Sequence, residues 1–451
     1  MTPTNKLPIG FREDFYARLG LFLLLGAGCA SFFLLPFTIS GDGRIRYQFM
    51  NTLTQNMEIV SMRYSMVGPL FSLPLWFISK FHKDPLSIIS RYNFLLFTAT
   101  IFVLYQWLKH HFDRKFLITF LIILAFGSMF PGHLINYYGE VFSAACLTLG
   151  TVGLAIKKDR AGWVCMFLAV LNTPALLIPF TIVVIYRTWE KKQIRYLLLI
   201  PACILLMILE SYLRTGNLLA GFQTYLNQDH GYETLLPYSG KTGYSYPFVL
   251  GILSILFSFG KGLIFYCPGL LLIGFTWKFI SDPVERKMLI LWLLIVLGLI
   301  LAYASWWAWY GGWYWGPRFF LFASLPASWI LARLIHSNHQ SLVLSLALPV
   351  FLTLSLWVGV NGAVFQQKTL DVCTQNSLAL ESLCWYVPEF SPLIRPFIIR
   401  ATLSLKDRLI LVIFAVLWLY SILPLAMDLL HKMIEVIKAK RPLMNFPSWR
   451  F

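Results

Sequence analysis

A short polar stretch directly follows the first long apolar segment and contains groups that could do acid–base chemistry. It reads Ser-Gly-Asp-Gly-Arg-Ile-Arg-Tyr over residues 40–47. Asp42 is a carboxylate between two glycines, and Arg44, Arg46 and Tyr47 follow it. A carboxylate beside a bilayer, flanked by cations, can accept the proton of a hydroxyl group near an anionic lipid headgroup. An Asp-Gly pair is also an ordinary turn signal, and only the rest of the chain distinguishes the two interpretations.

The composition places these residues in a membrane protein. Of the 451 residues, 58% are hydrophobic and 13% are charged, whereas about a quarter of the residues in soluble domains are charged. Apolar runs of about 20 residues recur, which is the length that a helix needs to cross a bilayer. A transmembrane β-barrel would show short segments of alternating polarity instead. The sequence therefore predicts an all-α, polytopic membrane protein.

The distribution of the basic residues explains the formal net charge of +17. Most Lys and Arg residues lie in short loops at the ends of apolar runs, namely Lys109–Lys115, Lys157–Arg160, Arg187–Arg195, Lys278–Lys287 and Lys432–Arg441. Such clusters are typical of cytoplasmic loops. This placement argues against a nucleic-acid partner and predicts that both termini are cytoplasmic.

Tracing the apolar runs from a cytoplasmic N-terminus predicts about twelve transmembrane helices. In the first extracytoplasmic loop, residues 40–84, we expect the proline-containing segment Ser65–Phe77 to form a helix in the membrane interface. If that segment spanned the bilayer, every later loop would be inverted. The run Trp163–Tyr186 contains Asn-Thr-Pro from Asn172 onward, so we expect a hairpin of two short helices. The later expected spans include Met288–Ala304, Phe319–Ile335, Leu342–Val360 and Leu409–Leu430.

We divide the chain into a transmembrane core, residues 1–335, and a C-terminal part, residues 336–451. The C-terminal part contains an extracytoplasmic loop, residues 362–406, and a basic cytoplasmic tail. Of the seven cysteines, only Cys373 and Cys384 share a polar loop, whose extracytoplasmic position permits a disulfide. The sequence has no Asn-x-Ser/Thr glycosylation site, which fits a bacterial inner membrane.

Several basic residues fall on the extracytoplasmic side, where the orientation rule disfavours positive charge. Among them are Arg44, Arg46, Arg63, Lys261 and Arg318. Arg318 is the strongest candidate ligand of a lipid phosphate, because Arg pairs with phosphate oxygens through two hydrogen bonds. The other interpretation is that each cation snorkels to the interface or pairs with a nearby acid.

The run before Arg318 is rich in aromatic residues and reads Ser-Trp-Trp-Ala-Trp-Tyr-Gly-Gly-Trp-Tyr-Trp-Gly-Pro-Arg over residues 305–318. Aromatic residues gather at every membrane interface, so a simple belt is one explanation. The run is denser than a belt requires, and its glycines allow close approach of the backbone to a ligand. The residues expected to line a sugar or lipid site are Tyr47, Tyr64, Tyr138, Trp309, Trp313 and Trp315.

Four motifs stand in a characteristic order along the chain. They are Gly-Asp-Gly with Tyr47, the segment around Pro69, Ser-Phe-Gly-Lys-Gly-Leu at residues 258–263 followed by Tyr-Cys-Pro, and Trp-Tyr-Gly-Gly-Trp-Tyr-Trp-Gly-Pro-Arg-Phe at residues 309–319. Together they resemble the glycosyltransferase C superfamily, and most of all the bacterial relatives of protein mannosyltransferases and aminoarabinose transferases. The resemblance covers about Leu19 to Ile335.

The resemblance implies inverting transfer of a hexose or pentose from a polyprenyl-phosphate donor on the extracytoplasmic face, with Asp42 as general base. Many members pair two acids in this loop, whereas Gly43 follows Asp42 here, so a second acid would come from Glu58 or Glu140 or be absent. We take Glu140 as the second catalytic candidate and expect neither a metal nor another cofactor. The expected ligands of the donor phosphate are Arg318, Lys261, Arg63, Arg44 and Arg46. The resemblance leaves the acceptor open among glycan, lipid and protein.

Two other functions are compatible with the sequence. A transporter or flippase of a lipid-linked glycan would place ionisable residues inside spanning helices, and Glu210 is the best candidate for one. A glycan ligase or polymerase would use a large outer loop with Arg and His, and the loop Gln223–Lys241 contains His230.

Overall fold

The computed structural model describes residues 9–218, 243–337, 341–369 and 380–440. Within these ranges the chain is helical, with one isolated bridge between Thr38 and Asn136 and no strand. Helical segments long and apolar enough to cross a membrane are Phe15–Leu34, Pro85–Leu108, Ile194–Thr215, Arg318–Ile335, Leu342–Phe365 and Leu405–Ile434. The protein is therefore an all-α integral membrane protein, as predicted, while the expected number of about twelve spans is not confirmed.

The helices are numbered here in chain order. The α-helices are α1 Ile9–Leu34, α2 Gly41–Asn56, α3 Val67–Leu70, α4 Leu73–Ser79, α5 Pro85–Ile89, α6 Tyr92–Leu108, α7 Arg114–Phe126, α8 Phe130–His133, α9 Glu140–Ala155, α10 Asp159–Asn172, α11 Leu177–Lys191, α12 Leu199–Thr215, α13 Phe248–Phe257, α14 Leu263–Tyr266, α15 Ile273–Thr276, α16 Pro283–Tyr303, α17 Ser324–Ile335, α18 Leu342–Val360, α19 Gln366–Thr369, α20 Glu381–Tyr386, α21 Arg395–Ile398 and α22 Leu405–Lys440. The 3₁₀ segments are Pro174–Leu176, Ile194–Leu198, Pro268–Leu272, Trp277–Phe279, Arg318–Ala323 and Pro388–Phe390, and Asn361–Phe365 is a π-helix.

Two helices, α7 and α9, form the centre of the bundle. Every residue from Phe116 to Phe126 of α7 is buried, and α9 packs closely on α10. The close crossing depends on glycine, since a Cβ on Gly162 of α10 would lie 2.9 Å from the backbone nitrogen of Leu154 in α9. Small residues at such crossings are typical of helices that pack within a membrane.

The expected hairpin is formed by α10 and α11. The first helix ends at Asn172, and a 3₁₀ turn begins at Pro174, whose ring cannot continue the hydrogen-bond ladder. Buried Arg187, near the end of α11, binds Asp159 at the start of α10 with an N–O distance of 2.8 Å. Because this ion pair joins the two ends of the segment, the helices run antiparallel.

The segment between α1 and α6 differs from the sequence prediction in two places: its first part is helical, and the expected interfacial helix is interrupted. The Gly-Asp-Gly stretch is neither a flexible loop nor a simple turn, because Gly41, at φ +50°, opens helix α2. The expected interfacial helix over Ser65–Phe77 is instead the pair α3 and α4. Pro74 explains the break, because it lacks the N–H that a continuous helix would need at that position.

The C-terminal part contains one helix whose bounds match the prediction, α18. The segment after it packs back against the bundle, since the side-chain amide of Asn361 donates to the Pro392 carbonyl at 2.9 Å. Cys384 is disulfide-bonded, and Cys373 lies outside the described residues. The division of the chain at residue 335 stays a prediction.

We expect Asn172→Leu to lower the free energy of unfolding by about 2 kcal/mol or more. The Asn172 side chain accepts from the Gly68 N–H at 3.1 Å and donates to the Gly139 carbonyl at 2.9 Å, so the leucine leaves two buried backbone groups unpaired. Thermal unfolding in detergent micelles measures the effect. Asn51→Leu, a half-buried position on α2, is the control, and equal losses in both variants would contradict the assigned role.

Candidate active site

A cavity of about 480 Å³ lies beside the first turn of α2. Its walls come from α2, the residues before α3, the N-terminal half of α9, the turn between α10 and α11, the end of α16 and the segment Ser305–Pro317, which we call the aromatic turn. The charged lining residues are Asp42, Arg46, Arg63, Glu140 and Arg318. Acidic and basic side chains from segments far apart in sequence therefore line the same cavity.

The guanidinium group of Arg318 contacts both acids of the cavity. Its Nη1 lies 2.8 Å from Oδ2 of Asp42 and 3.5 Å from Oε1 of Glu140. Arg318 begins the 3₁₀ segment that follows the aromatic turn, and Asp42 precedes it by 276 residues. The two residues on which the sequence interpretation depends are thus in direct contact.

Both acids lie in the first turn of a helix, Asp42 in α2 and Glu140 in α9. The N-terminus of a helix carries a partial positive charge that stabilises a carboxylate. The other candidate for the second acid, Glu58, is exposed beyond the end of α2. Glu140 is therefore the acid that shares the cavity with Asp42.

The electrostatic environment keeps Asp42 ionised. Burial by itself would raise the pKa of this carboxyl, but the charge of Arg318 and hydrogen bonds from Tyr64 and Arg318 lower it below the ordinary value. Burial and the neighbouring carboxylate raise the pKa of Tyr64, so its hydroxyl stays protonated and donates to Asp42. A carboxylate in this state has a lone pair available to accept a proton.

Arg46 lies one helical turn after Asp42 and faces the same cavity, because residues four apart share one face of a helix. Its side chain is buried, and among the described residues Nε and Nη1 have no hydrogen-bond partner. The guanidinium lies over the Tyr64 ring, with Cζ 4.9 Å from the ring centroid. It also rests on Gly139, where a Cβ would come within 2.6 Å of Nη1. A buried cation with unpaired donors favours an anionic ligand.

The other predicted cations lie in different surroundings. Arg63 lines the cavity from an exposed position. Arg44 is exposed and does not line the cavity, because it stands two residues from Asp42 and faces away on α2. Lys261 is fully buried behind the aromatic turn and donates to the carbonyl oxygens of Gly312, Tyr314 and Gly316.

These three carbonyls match the three donors of the Lys261 ammonium group. The amine is directed at the backbone of the aromatic turn and not at the cavity. Its position therefore does not suit direct phosphate binding, the role that the sequence interpretation expected. The contacts make it a support for the turn.

The aromatic turn bends where its glycines adopt the left-handed conformation, with φ +81° at Gly311, +74° at Gly312 and +67° at Gly316. Of the six aromatic residues expected to line the site, Tyr64, Tyr138 and Trp313 do so. The others pack elsewhere. Trp309 and Trp315 are buried in the core, and Tyr47 packs at a tilt against Trp76 with ring centroids 5.1 Å apart.

Some lining residues were not expected from the sequence. Trp306 and Trp307 belong to the same aromatic turn, and Ser143, Asn172 and Thr173 form a polar cluster in the cavity wall. The Ser143 and Thr173 hydroxyls are 2.7 Å apart. The sequence indicates Asn172 and Thr173 only as a helix break. Their polar side chains at a break on the side of the bundle that holds Asp42 are the signal that could assign them to the site.

The donor set of the cavity does not fit a metal centre. In the part of the chain that the structure describes, no group of three or more His, Cys, Asp or Glu residues is placed to hold a metal ion. Asp42 and Glu140 both turn toward the guanidinium of Arg318. We derive no step through a metal ion.

We expect the Asp42 carboxylate to stabilise the protein above its unfolded-state pKa of about 3.9. Its pKa is lowered in the folded protein, so the unfolded chain binds more protons in acid, and this stabilisation is lost as the pH falls through the folded-state pKa. Melting temperatures of the wild type and Asp42→Asn should converge below about pH 4. A difference that stays constant with pH would contradict the ion pair.

No family model and no curated protein matches the chain in sequence. Among solved structures, the chain is similar to the crystal structure of ArnT from Cupriavidus metallidurans bound to undecaprenyl phosphate, with a TM-score of 0.50 and 11% sequence identity over 90% of this chain and 77% of that chain. At this identity the likeness concerns the fold. The chain therefore shares the fold of this ArnT structure.

Proposed function

We propose that this protein is a membrane glycosyltransferase that moves a sugar, with inversion, from a polyprenyl-phosphate donor to an acceptor hydroxyl on the extracytoplasmic face. The observation that carries the proposal is the contact of Asp42 with Arg318 inside the cavity, at 2.8 Å. The fold shared with ArnT, which was solved with undecaprenyl phosphate, supports it.

The lining of the cavity includes groups that suit both parts of such a donor. The charged residues offer guanidinium groups to a phosphate and a carboxylate to an acceptor hydroxyl. The apolar residues of the wall include Leu147 of α9, Leu176 of the hairpin turn, Leu299 of α16 and Phe322. Burial of isoprene units against this wall is favoured by the hydrophobic effect wherever water is displaced.

Asp42 is the proposed general base. Its carboxylate takes the proton of the acceptor hydroxyl while the acceptor oxygen attacks the anomeric carbon from the face opposite the phosphate. The bond between the anomeric carbon and the phosphate oxygen breaks, and the electron pair leaves with the lipid phosphate. One displacement of this kind inverts the configuration of the sugar.

Arg46 is the proposed main ligand of the donor phosphate, with Arg63 beside it. Arg318 already contacts two carboxylates through Nη1 and, of its buried nitrogens, leaves only Nε unpartnered among the described residues. In Arg46 both Nε and Nη1 are buried without a partner among those residues. Hydrogen-bond donors stabilise the charge that develops on the departing phosphate. They lower the barrier most where they are already in place and water is excluded. Arg318 then orients Asp42, and Glu140 holds Arg318 in position.

The contacts of Glu210 do not favour the transporter hypothesis. Glu210 accepts a hydrogen bond from the backbone N–H of Met66 at 3.0 Å and pairs with Arg214 at 3.0 Å. Glu210 therefore links the segment before α3 to α12, and its contacts do not place it on a path through the bundle. His230, on which the ligase hypothesis rests, lies outside the described residues.

Replacing Asp42 by Asn should lower sugar transfer about 10²- to 10⁴-fold, because the amide cannot accept the proton. The assay uses the reconstituted protein and a radiolabelled polyprenyl-phosphate sugar, and binding of unlabelled polyprenyl phosphate is measured in parallel and should persist. Glu58→Gln, an exposed acid beyond the same helix, should retain activity. An active Asp42→Asn variant would refute the base assignment.

Replacing Arg46 by Ala should weaken binding of polyprenyl phosphate by about tenfold or more, the loss expected for charge-assisted hydrogen bonds. Arg44→Ala is the matched control, since it removes the same charge two residues away on the exposed face of α2. Titration of intrinsic tryptophan fluorescence in nanodiscs measures both. Equal effects of the two variants would mean that general electrostatic attraction, and not a site at Arg46, binds the lipid.

A further inference from the structure

One buried carboxylate outside the proposed mechanism lies directly behind the cavity wall. Oε2 of Glu381, at the start of α20, accepts a hydrogen bond from the indole Nε1–H of Trp313 at 2.6 Å and another from the Tyr310 hydroxyl at 3.3 Å. Glu381 itself is fully buried, whereas Trp313 lines the cavity. A residue of the C-terminal part therefore holds a side chain that faces the proposed substrate.

The segment that carries Glu381 is fastened to the bundle at several points. The Trp385 ring stacks on Tyr310 with centroids 5.0 Å apart, and Nζ of Lys261 lies 4.7 Å from the centroid of the same indole. The Trp385 carbonyl accepts a hydrogen bond from the Gly260 N–H at 3.0 Å. Cys384, between these residues, is disulfide-bonded. Glu381 is therefore presented to the aromatic turn from a rigid support.

The protonation state of Glu381 decides which substitution imitates it. Burial raises the pKa of Glu381 to about 8, and its second oxygen, Oε1, is buried without a partner among the described residues. Near neutral pH the side chain is mostly a neutral carboxylic acid that accepts a hydrogen bond through Oε2. Glutamine offers the same carbonyl acceptor at nearly the same volume.

We propose that Glu381 is a positioning residue that fixes the indole of Trp313 as the wall against which the donor sugar packs. This inference rests on the proposed function, because it assigns the support of that same cavity. The aromatic turn bends at three glycines with positive φ, and such backbone has little stiffness of its own. The hydrogen bond to Trp313 sets the orientation of the ring, and a fixed ring binds the sugar without the entropic cost of ordering it.

Two substitutions of Glu381 distinguish acceptance of the Trp313 hydrogen bond from simple packing of the side chain. Glu381→Leu removes the acceptor, and we expect the KM for the polyprenyl-phosphate sugar to rise about tenfold while kcat changes by less than about threefold. Glu381→Gln should restore a KM within about twofold of the wild type. Equal KM values in the wild type and the Leu variant, or equal defects in the Gln and Leu variants, would overturn the inference.

A third variant keeps the inference testable if the Leu variant does not fold. Trp313→Phe removes the indole N–H and leaves Glu381 in place, and it should raise the donor KM in the same direction. Where the Leu variant folds, combining the two changes should add little, because both remove one interaction. Independent, multiplying effects would contradict the proposed link.

A readout without turnover distinguishes failure of this inference from failure of the proposed function. Near-ultraviolet circular dichroism and tryptophan emission of the purified protein should change in Glu381→Leu and not in Glu381→Gln. If the wild type transfers no sugar but the spectra behave in this way, the proposed function fails and the support of Trp313 stands. If the wild type transfers sugar and the spectra of the two variants agree with each other, the inference fails alone.

Discussion

The site is organised by one guanidinium group held between two carboxylates at the end of the bundle. Each charge alone would be costly to bury, and each is tolerated because the others are close. Arg318 reaches Asp42 at 2.8 Å and Glu140 at 3.5 Å, so the starts of α2 and α9 and the end of the aromatic turn must all meet at one point. Two local features allow these segments to meet. Both acids lie in the first turn of a helix, and the glycines before Arg318 adopt the left-handed conformation.

The three cationic side chains at and behind the cavity have different surroundings. Arg318 pairs with the two acids, Arg46 is buried with Nε and Nη1 unpartnered among the described residues, and Lys261 faces backbone carbonyls behind the wall. These three cations look alike in sequence, since all lie near glycine and aromatic residues. Their partners distinguish a proposed orienting group, a proposed phosphate ligand and a support of the aromatic turn. The C-terminal part contributes a further support through Glu381.

Much of the architecture was predictable from local patterns. The hydrophobic runs located α17 and α18, which end at the expected residues Ile335 and Val360, and the Asn-Thr-Pro break indicated the hairpin. Motif order also indicated that Asp42 and Arg318 belong to one site. The helix ends and the hairpin depend on short-range chemistry, namely helix periodicity, proline and the length of an apolar run. The joining of Asp42 and Arg318 was implied by the family resemblance of the motifs.

The features that sequence reasoning missed depend on tertiary contacts. Gly-Asp-Gly-Arg has low intrinsic helix propensity, yet it begins α2. Once the stretch is helical, the four-residue spacing places Arg46 beside Asp42 and turns Arg44 away, a distinction that a loop could not show. Likewise, Trp309 and Trp315 could be told from Trp313 only after the glycine bends of the aromatic turn were known.

A cryo-EM map of the protein in nanodiscs with polyprenyl phosphate tests the central claim most directly. The account predicts density for the phosphate at the Arg46 guanidinium, with Asp42 and Arg318 still in contact and the isoprene chain along the apolar wall that contains Leu299 and Phe322. A phosphate bound outside this cavity, or Asp42 separated from Arg318, would contradict it.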